Sequence, residues 1–375
     1  MSCGSVRART SGKAIESLCS IAVLRPSARE RDEAKARAEG RAKTSIATTP
    51  TSDDDGADDD GAGKGRMRVR KVLVVAHGGK GLEHEMETIR REFASGDIAC
   101  EFVETSKVGD ATTIVRERDL RGVDAIGVMG GDGTFREAVE GFMTRKDYGR
   151  KEAKDCAVFT FPCGTGNNYA RDLGITTVAD AVNKVKNGRV KKVDAVKVSH
   201  GDEFKQETIS INVVTWGMAR DAAETAEGMR FLGPIRYDLA GLYHILMNKK
   251  NFATIGVSEA LEGAIEHESD EYLMMFAQNT RCSGRGFTFT PLAQLDDGEF
   301  DVMTCLKSGP LHTKGLFDAT KSGGGHVEDP SVAYVKAKRL ELSTNEPERV
   351  GIDGEVTVST PVRLRAMKHA FLTFV

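Results

Sequence analysis

The sequence predicts two folded domains: an N-terminal α/β domain, built as a parallel sheet with helices on both faces, and a mainly antiparallel β domain after it. Three observations predict this. From Val69 to about residue 190, short apolar runs alternate with stretches of helical periodicity, the pattern of a parallel sheet covered on both sides. Three of those runs pass at once into glycine-rich turns; in such sheets these turns lie at the carboxyl ends of the strands, where ligands bind. Beyond residue 190, strand-like runs mostly follow one another without helices between them, which suggests antiparallel pairing. The expected division is 1–66 as a disordered extension, 67–190 as the α/β domain and 191–375 as the β-rich domain.

The extension carries Arg7, Arg9, Lys13, Arg25 and Arg29 against a single acid, Glu16, before position 30. That pattern is compatible with an organelle transit peptide. The acids Glu30, Asp32, Glu33 and Glu39 favour plain disorder instead, and both readings stand. The aspartates at 53–55 and 58–60, set among Gly and Ala, read as a solvated linker that buries too little apolar surface to offset its ordering entropy. Order is expected from Val69. A strand at 69–76 leads through a glycine turn at 77–81 into a helix at 82–93. A strand at 98–103 precedes a helix at 111–118, a strand at 123–129 precedes a helix at 135–143, and a strand at 157–161 precedes a helix at 169–173. In the second domain, strands are expected at 192–198, 207–214, 252–257, 272–277, 287–290, 300–306 and 333–342, with a helix at 237–247. The apolar last residues, 370–375, leave open a return to the first domain.

The turns carry the chemistry. Gly130-Gly131-Asp132-Gly133-Thr134 joins a strand to a helix. Glycines let backbone N–H groups approach an anion with no Cβ in the way, and the helix N-terminus adds free N–H groups and partial positive charge. Asp132 sets an acid in the same turn, so phosphate handling and proton or metal chemistry fall within a few ångströms. Some thirty residues on, Pro162-Cys163 leads into Gly164-Thr165-Gly166-Asn167-Asn168. A tight βα connection explains either turn alone; it does not explain why both lack large side chains.

These two turns, with Glu137 behind the first, resemble the catalytic domain shared by diacylglycerol, sphingosine and ceramide kinases. The resemblance continues in Trp216-Gly217 with Asp221 four residues on, in Arg230-x-Leu232-Gly233-x2-Arg236-Tyr237, in Asp297-Gly298-x-Phe300-Asp301 and in Asp353-Gly354-Glu355. Together they span about 69–375, and the arginine region is similar to the sphingosine and ceramide kinase branch. The resemblance implies a two-domain lipid kinase that uses ATP and Mg²⁺, with the nucleotide in the cleft between the domains. It implies that Gly130, Gly131, Gly133, Thr134, Gly164, Thr165, Gly166 and Asn167 cradle the nucleotide, with Thr105 and Glu137 beside them. Arg230 and Arg236 would reach the phosphates, as the planar, permanently charged guanidinium suits. Asp353, Gly354 and Glu355 would lie by the nucleotide and its Mg²⁺. Asp297 and Asp301 would hold a structural magnesium, Asp221 would bind substrate, and Asp132 would take the proton of the lipid hydroxyl. Plainer roles stand beside several of these: a helix-start carboxylate for Glu137, an Asp bonded to its own turn for Asp132, and a hairpin turn for Asp353-Gly354.

Two departures bear on substrate and nucleotide. Where the family has Asn-Pro before the first glycine turn, this chain has Ala76-His77. Where sphingosine kinases carry an Asp for the polar head of the long-chain base, ungapped matching gives Ala223. Arg236-Tyr237-Asp238-x2-Gly241-Leu242 looks like the ceramide kinase helix, whereas Gly164 to Asn168 looks like the diacylglycerol kinase turn. The acceptor therefore stays open between a sphingolipid (ceramide or sphingoid base) and diacylglycerol. NAD kinase shares the Gly-Gly-Asp-Gly turn but leaves the arginine pair unexplained; a catalytically inactive nucleotide- or lipid-binding relative is the other alternative.

Composition bounds the partners. Of 375 residues, 39% are hydrophobic and 29% charged, enough for real cores under a solvated surface. A net charge of −3 gives no reason to expect nucleic acid. No run approaches the roughly eighteen apolar residues of a membrane span, so a lipid acceptor implies transient contact with a membrane surface. The seven cysteines, Cys3, Cys19, Cys100, Cys156, Cys163, Cys282 and Cys305, form no CxxC pair and fit a reducing compartment. The expected location is intracellular and cytoplasmic, with a chloroplast or mitochondrial address as the alternative; the sequence does not give the oligomeric state.

Overall fold

The computed structural model describes residues 64–150, 155–249, 251–284, 287–354 and 356–375. Residues 1–63 of the expected extension lie outside the described residues, as does Glu355; the extension's last three residues, Lys64–Arg66, are not disordered but form a short strand paired antiparallel with residues 189–191.

The first body is a parallel sheet. Strands β2 (Lys71–Ala76), β3 (Ala99–Glu104), β4 (Ala125–Gly130) and β5 (Ala157–Pro162) run in the order β3-β2-β4-β5; the short β1 (Lys64–Arg66) precedes them. Strand residues alternate between two layers, as the two-residue period requires. Leu73, Val75, Ile126, Val128 and Val158 face α2 (Asp110–Glu117) and α3 (Asp132–Met143). Val72, Val74, Met129, Phe159 and Phe161 face α1 (Glu83–Ala94) and α5 (Val178–Asn187). The short α4 (Asn168–Asp172) follows β5.

The second body is antiparallel. Its strands β8 (Val213–Gly217), β9 (Asn251–Ser258), β10 (His267–Gln278), β13 (Arg339–Ser343), β14 (Arg349–Ile352) and β15 (Val356–Ser359) follow the order β15-β14-β8-β10-β9-β13. Strand β11 (Phe300–Leu306) pairs with β10 and with β12 (Val332–Ala337). Trp216, Met275, Phe300, Leu340 and Ile352 pack between these strands. Three helices cover the outside: α6 (Met218–Gly228), α7 (Arg236–Met247) and α8 (Pro310–Lys321).

A two-stranded ribbon joins the bodies. Strand β6 (Arg189–His200) pairs antiparallel along nearly the whole of β16 (Val362–Phe374). The first part of β16 pairs with β13, while its end meets β5 in parallel at Leu372 opposite Ala157. Phe371 and Phe374 enter the two cores of the first body.

Several boundaries differ from the sequence reading. The run at 207–214 is two strands, β7 (Gln206–Ser210) and β8, because the chain turns a corner at Ile211-Asn212. The run at 333–342 breaks between β12 and β13. Residues 287–290 make only an isolated bridge, Ser283 to Phe287; Phe287 and Phe289 stack on each other instead. Helices α5, α6 and α8 were not foreseen.

Candidate active site

Because β3, β2, β4 and β5 are parallel neighbours, their carboxyl ends line one edge. Thr105, the turn at 77–81, Gly130 to Thr134 and Gly164 to Asn168 therefore stand side by side. Gly78 N–H donates to Thr105 Oγ1 at 3.3 Å, and His77 turns its Nδ1 back toward its neighbour's carbonyl, Gly78 O, at 2.7 Å.

The two main glycine turns touch. A Cβ on Gly164 would lie 2.3 Å from Gly131 Cα, and one on Gly130 would lie 2.7 Å from the Thr134 side chain. Cys163 N–H donates to Gly130 O at 3.1 Å. Gly131 caps α3 in an extended conformation, and no side chain caps that helix, so its first N–H groups are available to an anion. Thr165 is exposed at the tip of the second turn. Asn167, at φ +52°, staples that turn: its Oδ1 accepts from Gly164 N–H at 2.8 Å, and its Nδ2 donates to Pro162 O and Gly164 O. Its amide is thus spent on the shape of the turn.

Asp132 bridges the two turns. Its carboxylate accepts from Asn168 N–H at 2.9 Å and Tyr169 N–H at 3.1 Å, the first N–H groups of α4. It bonds the backbone of the other turn, not its own. Burial raises its pKa; the two N–H donors, the Arg171 charge and the Asn212 side chain pull it back down. A carboxylate so raised is a better proton acceptor than a free one. Cys163, directly before Gly164 in the second turn, has its thiol pushed up to about 11 by burial, which leaves it unreactive at neutral pH.

The other expected residues fall into four groups. Glu137 is buried and accepts from Gly109 N–H at 2.9 Å, so it caps the neighbouring helix α2 rather than facing the cleft. Asp353 is buried, with φ +52°. It accepts from Ser210 Oγ at 2.8 Å and from the N–H groups of Ile211, Asn212 and Val213 at 2.9, 3.0 and 2.8 Å. Four donors fill both oxygens. Asp353 therefore knots the β7–β8 corner, while Gly354 continues the turn into β15. Asp297 and Asp301 converge on Lys336, whose Nζ lies 2.7 and 3.0 Å from them, and Asp301 also accepts from Tyr334 Oη at 2.6 Å. An ammonium stands where the resemblance implied a magnesium.

The fourth group sits on α6, on α7 and in the turn between them. Arg236 is buried, donates to Glu227 at 3.3 Å and Tyr237 Oη at 2.9 Å, and lies over the Tyr237 ring. Arg230 opens the 3₁₀ turn Arg230–Ile235, which bends at Gly233 with φ +64°. Asp221 lies between two cations, 3.4 Å from Arg220 and 3.7 Å from Lys249. The structure thus brings the glycine turns, Thr105 and Asp132 together at one edge, and keeps the described partners of Arg236 and Asp221 within the second body. Two neighbours of Asp132 escaped the sequence reading. Arg171 lies three residues past the second glycine turn, inside α4. Asn212 is the one amide inside the apolar run Ile209 to Val214, a signal that was visible.

Touching glycine turns beneath an uncapped helix, with a buried carboxylate bridging them, are the build of a phosphate-handling enzyme. Residues 71–198 match the diacylglycerol kinase catalytic domain, and residues 212–374 match the YegS C-terminal NAD kinase beta sandwich-like domain. Residues 71–198 thus carry a diacylglycerol kinase catalytic domain, and the chain is a lipid kinase. It is 25% identical over 340 residues to Sphingosine kinase 1 of Arabidopsis thaliana, covering 78% of this chain and 69% of that one. It is 27% identical over 272 residues to a diacylglycerol kinase of Staphylococcus carnosus, covering 71% and 81%. Among solved structures, a diacylglycerol kinase from Bacillus anthracis superposes with a TM-score of 0.66 at 25% identity, over 82% of this chain and 98% of that one.

The family implies ATP use and usually a divalent metal. The glycine edge fits a nucleotide, since added Cβ atoms would fill it. A protein-held metal fits less well. Among the described residues no three His, Cys, Asp or Glu side chains stand together to hold one, and Asp353, Asp297 and Asp301 are already satisfied.

Proposed function

We propose that this kinase transfers the γ-phosphate of ATP to a primary hydroxyl of a sphingolipid (ceramide or sphingoid base) or of diacylglycerol. The observation that carries the reading is the contact between the two glycine turns with Asp132 across it. The backbone N–H groups of Gly130 to Thr134 and Gly164 to Gly166 hold the phosphates, and magnesium arrives as part of the MgATP substrate. Asp132 accepts the alcohol proton as the new O–P bond forms and the bond to the departing ADP oxygen breaks. Phosphoryl transfer asks mainly for such positioning and charge neutralisation.

The acceptor is met at a bilayer surface. No helix among the described residues is long and apolar enough to cross a membrane, yet α7 exposes Leu239, Leu242, Tyr243, Leu246 and Met247. An apolar helix face of this kind lies in the headgroup boundary and draws the protein to its lipid.

The test is direct. The full chain is incubated with labelled ATP, Mg²⁺ and, in turn, sphingosine, ceramide, diacylglycerol and NAD, beside Asp132→Asn. Labelled lipid is expected from the wild type, with at least a hundredfold lower rate from the variant at unchanged ATP binding, the scale of a lost general base. Labelled NADP in place of labelled lipid refutes the acceptor. A variant that keeps most of the rate removes Asp132 as the base.

A further inference from the structure

Asn212 is 2% exposed, and neither its amide nitrogen nor its amide oxygen has a hydrogen-bond partner. Leaving a buried amide unpaired is destabilising, so its retention calls for a reason. The backbone around it is anything but loose. Asp353 holds the N–H groups of Ile211, Asn212 and Val213, and Asn212 O accepts from Asn279 N–H at 2.9 Å. The main chain is fixed on both sides while the side chain holds nothing.

What stands next to that side chain is Asp132. Strand β7 and the corner after it lie along α3: Arg136 Nη1 approaches Thr208 Oγ1 at 3.4 Å, and Ile209 N–H donates to Glu140 at 3.3 Å. Ile211 shares a core with Phe135. These contacts step down α3 from Glu140 and Arg136 to Phe135 and set Asn212 at the Asp132 end of the helix; its amide acts on the carboxyl there without a formed hydrogen bond.

We infer that Asn212 is a positioning residue for Asp132: when the acceptor alcohol enters, its Nδ2–H donates to the carboxylate and aims the free lone pair at the alcohol O–H. The inference rests on Asp132 being the proton acceptor. It gives the second body a part in the chemistry, because the corner that carries Asn212 belongs to β7 and β8. It also explains why Asp353 spends its carboxylate on three successive N–H groups: the knot fixes the point from which the amide reaches out.

The experiment compares Asn212→Ala, Asn212→Asp and Asp132→Asn in the full chain, using whichever of sphingosine, ceramide and diacylglycerol the wild type phosphorylates fastest. Asn212→Ala is expected to melt no lower than wild type, since it removes two unpaired polar atoms. Its kcat should fall about ten- to a hundredfold with KM for ATP unchanged, the size of one lost hydrogen bond to a charged group. Asn212→Asp sets a second carboxylate beside Asp132, on which the Arg171 charge of α4 also acts; on α3 Arg136 pairs with Glu140 at 2.9 Å, and its charge acts on Asp353 at the corner. Two such acids hold a proton more tightly, so the acid limb of the pH–rate profile should move to higher pH. A wild-type kcat in Asn212→Ala, or an unmoved acid limb in Asn212→Asp, overturns the inference while an inactive Asp132→Asn leaves the base reading standing. An active Asp132→Asn, or no phosphorylated lipid at all, overturns both. If Asn212→Ala does not fold, the near-isosteric Asn212→Asp decides alone.

Discussion

At the scale of single residues, the cleft depends on atoms that are not there. Gly164 adopts no left-handed conformation; it is required because a Cβ would lie 2.3 Å from the Gly131 backbone and 2.8 Å from Asn167 Oδ1. Backbone cannot yield as a flexible side chain does. Gly164→Ala should therefore part the two turns and raise the apparent KM for ATP about tenfold or more, while circular dichroism stays native. Thr165→Ala, at an exposed tip, should change KM by less than about threefold; equal effects from the two would mean that the turn contact is unimportant. The glycines and Asp132 were legible because strand, turn and helix are contiguous in sequence. The partners of Glu137, Asp353 and Asp301 were not. Gly109 lies 28 residues from Glu137, Ser210 lies 143 from Asp353, and Lys336 lies 35 from Asp301. An acid in a motif reads as a ligand until the chain brings its donors home.

At the scale of elements, α7 is built inside out. Arg236, Ala240, Gly241 and Ile245 face inward, whereas Leu239, Leu242, Tyr243 and Leu246 face solvent, at the spacing of one helical face. The turn before it adds Phe231 at 83% exposure. Polar positions outside and apolar ones inside would be the ordinary arrangement, so this face is made for an apolar surface. Burying a leucine contributes about 1.5–3 kcal/mol. Leu239, Leu242 and Leu246 changed together to Ser should weaken sedimentation with phosphatidylcholine–phosphatidylserine vesicles by about a hundredfold or more, without altering KM for ATP. Undiminished vesicle binding would move the membrane contact elsewhere. The helix itself was legible from its period; the direction of its apolar face was not, since periodicity gives a face and not what it meets. Helix α5 was missed although Thr177 and Asp180 form a capping box and Gly188 closes it, signals that sit in the sequence. Helix α6 is rich in Ala and acids, with Met218 its one large apolar side chain, and packing against α7 decides its state.

At the scale of the whole molecule, the parallel-then-antiparallel plan was readable from the change of rhythm near residue 190, but the way the two bodies are fastened was not. A strand pairing between residues 157 and 372 leaves no local trace. Strand β16 buries Leu364 and Ala366 in the second body and Phe371 and Phe374 in the first, with a bend at His369, where φ is +56°. Removing residues 369–375 deletes two buried phenylalanines, each worth about 3–5 kcal/mol when truncated. Against a total stability of about 5–15 kcal/mol, the shortened chain should be largely unfolded in both bodies, as native tryptophan fluorescence of Trp216 and far-ultraviolet dichroism would report. A native first body in that variant would mean that the ribbon is dispensable.

That shared strand also limits how the enzyme can be divided. A fragment ending near residue 198 would keep every glycine of the cradle, Asp132 and four consecutive parallel strands. It would still present β5 as a bare hydrogen-bonding rim, with no Phe374 to seat against Phe159. Such a piece is a template for sticking to its own copies, and it regains a proper margin only when the distant tail is supplied, in cis or as a separate peptide.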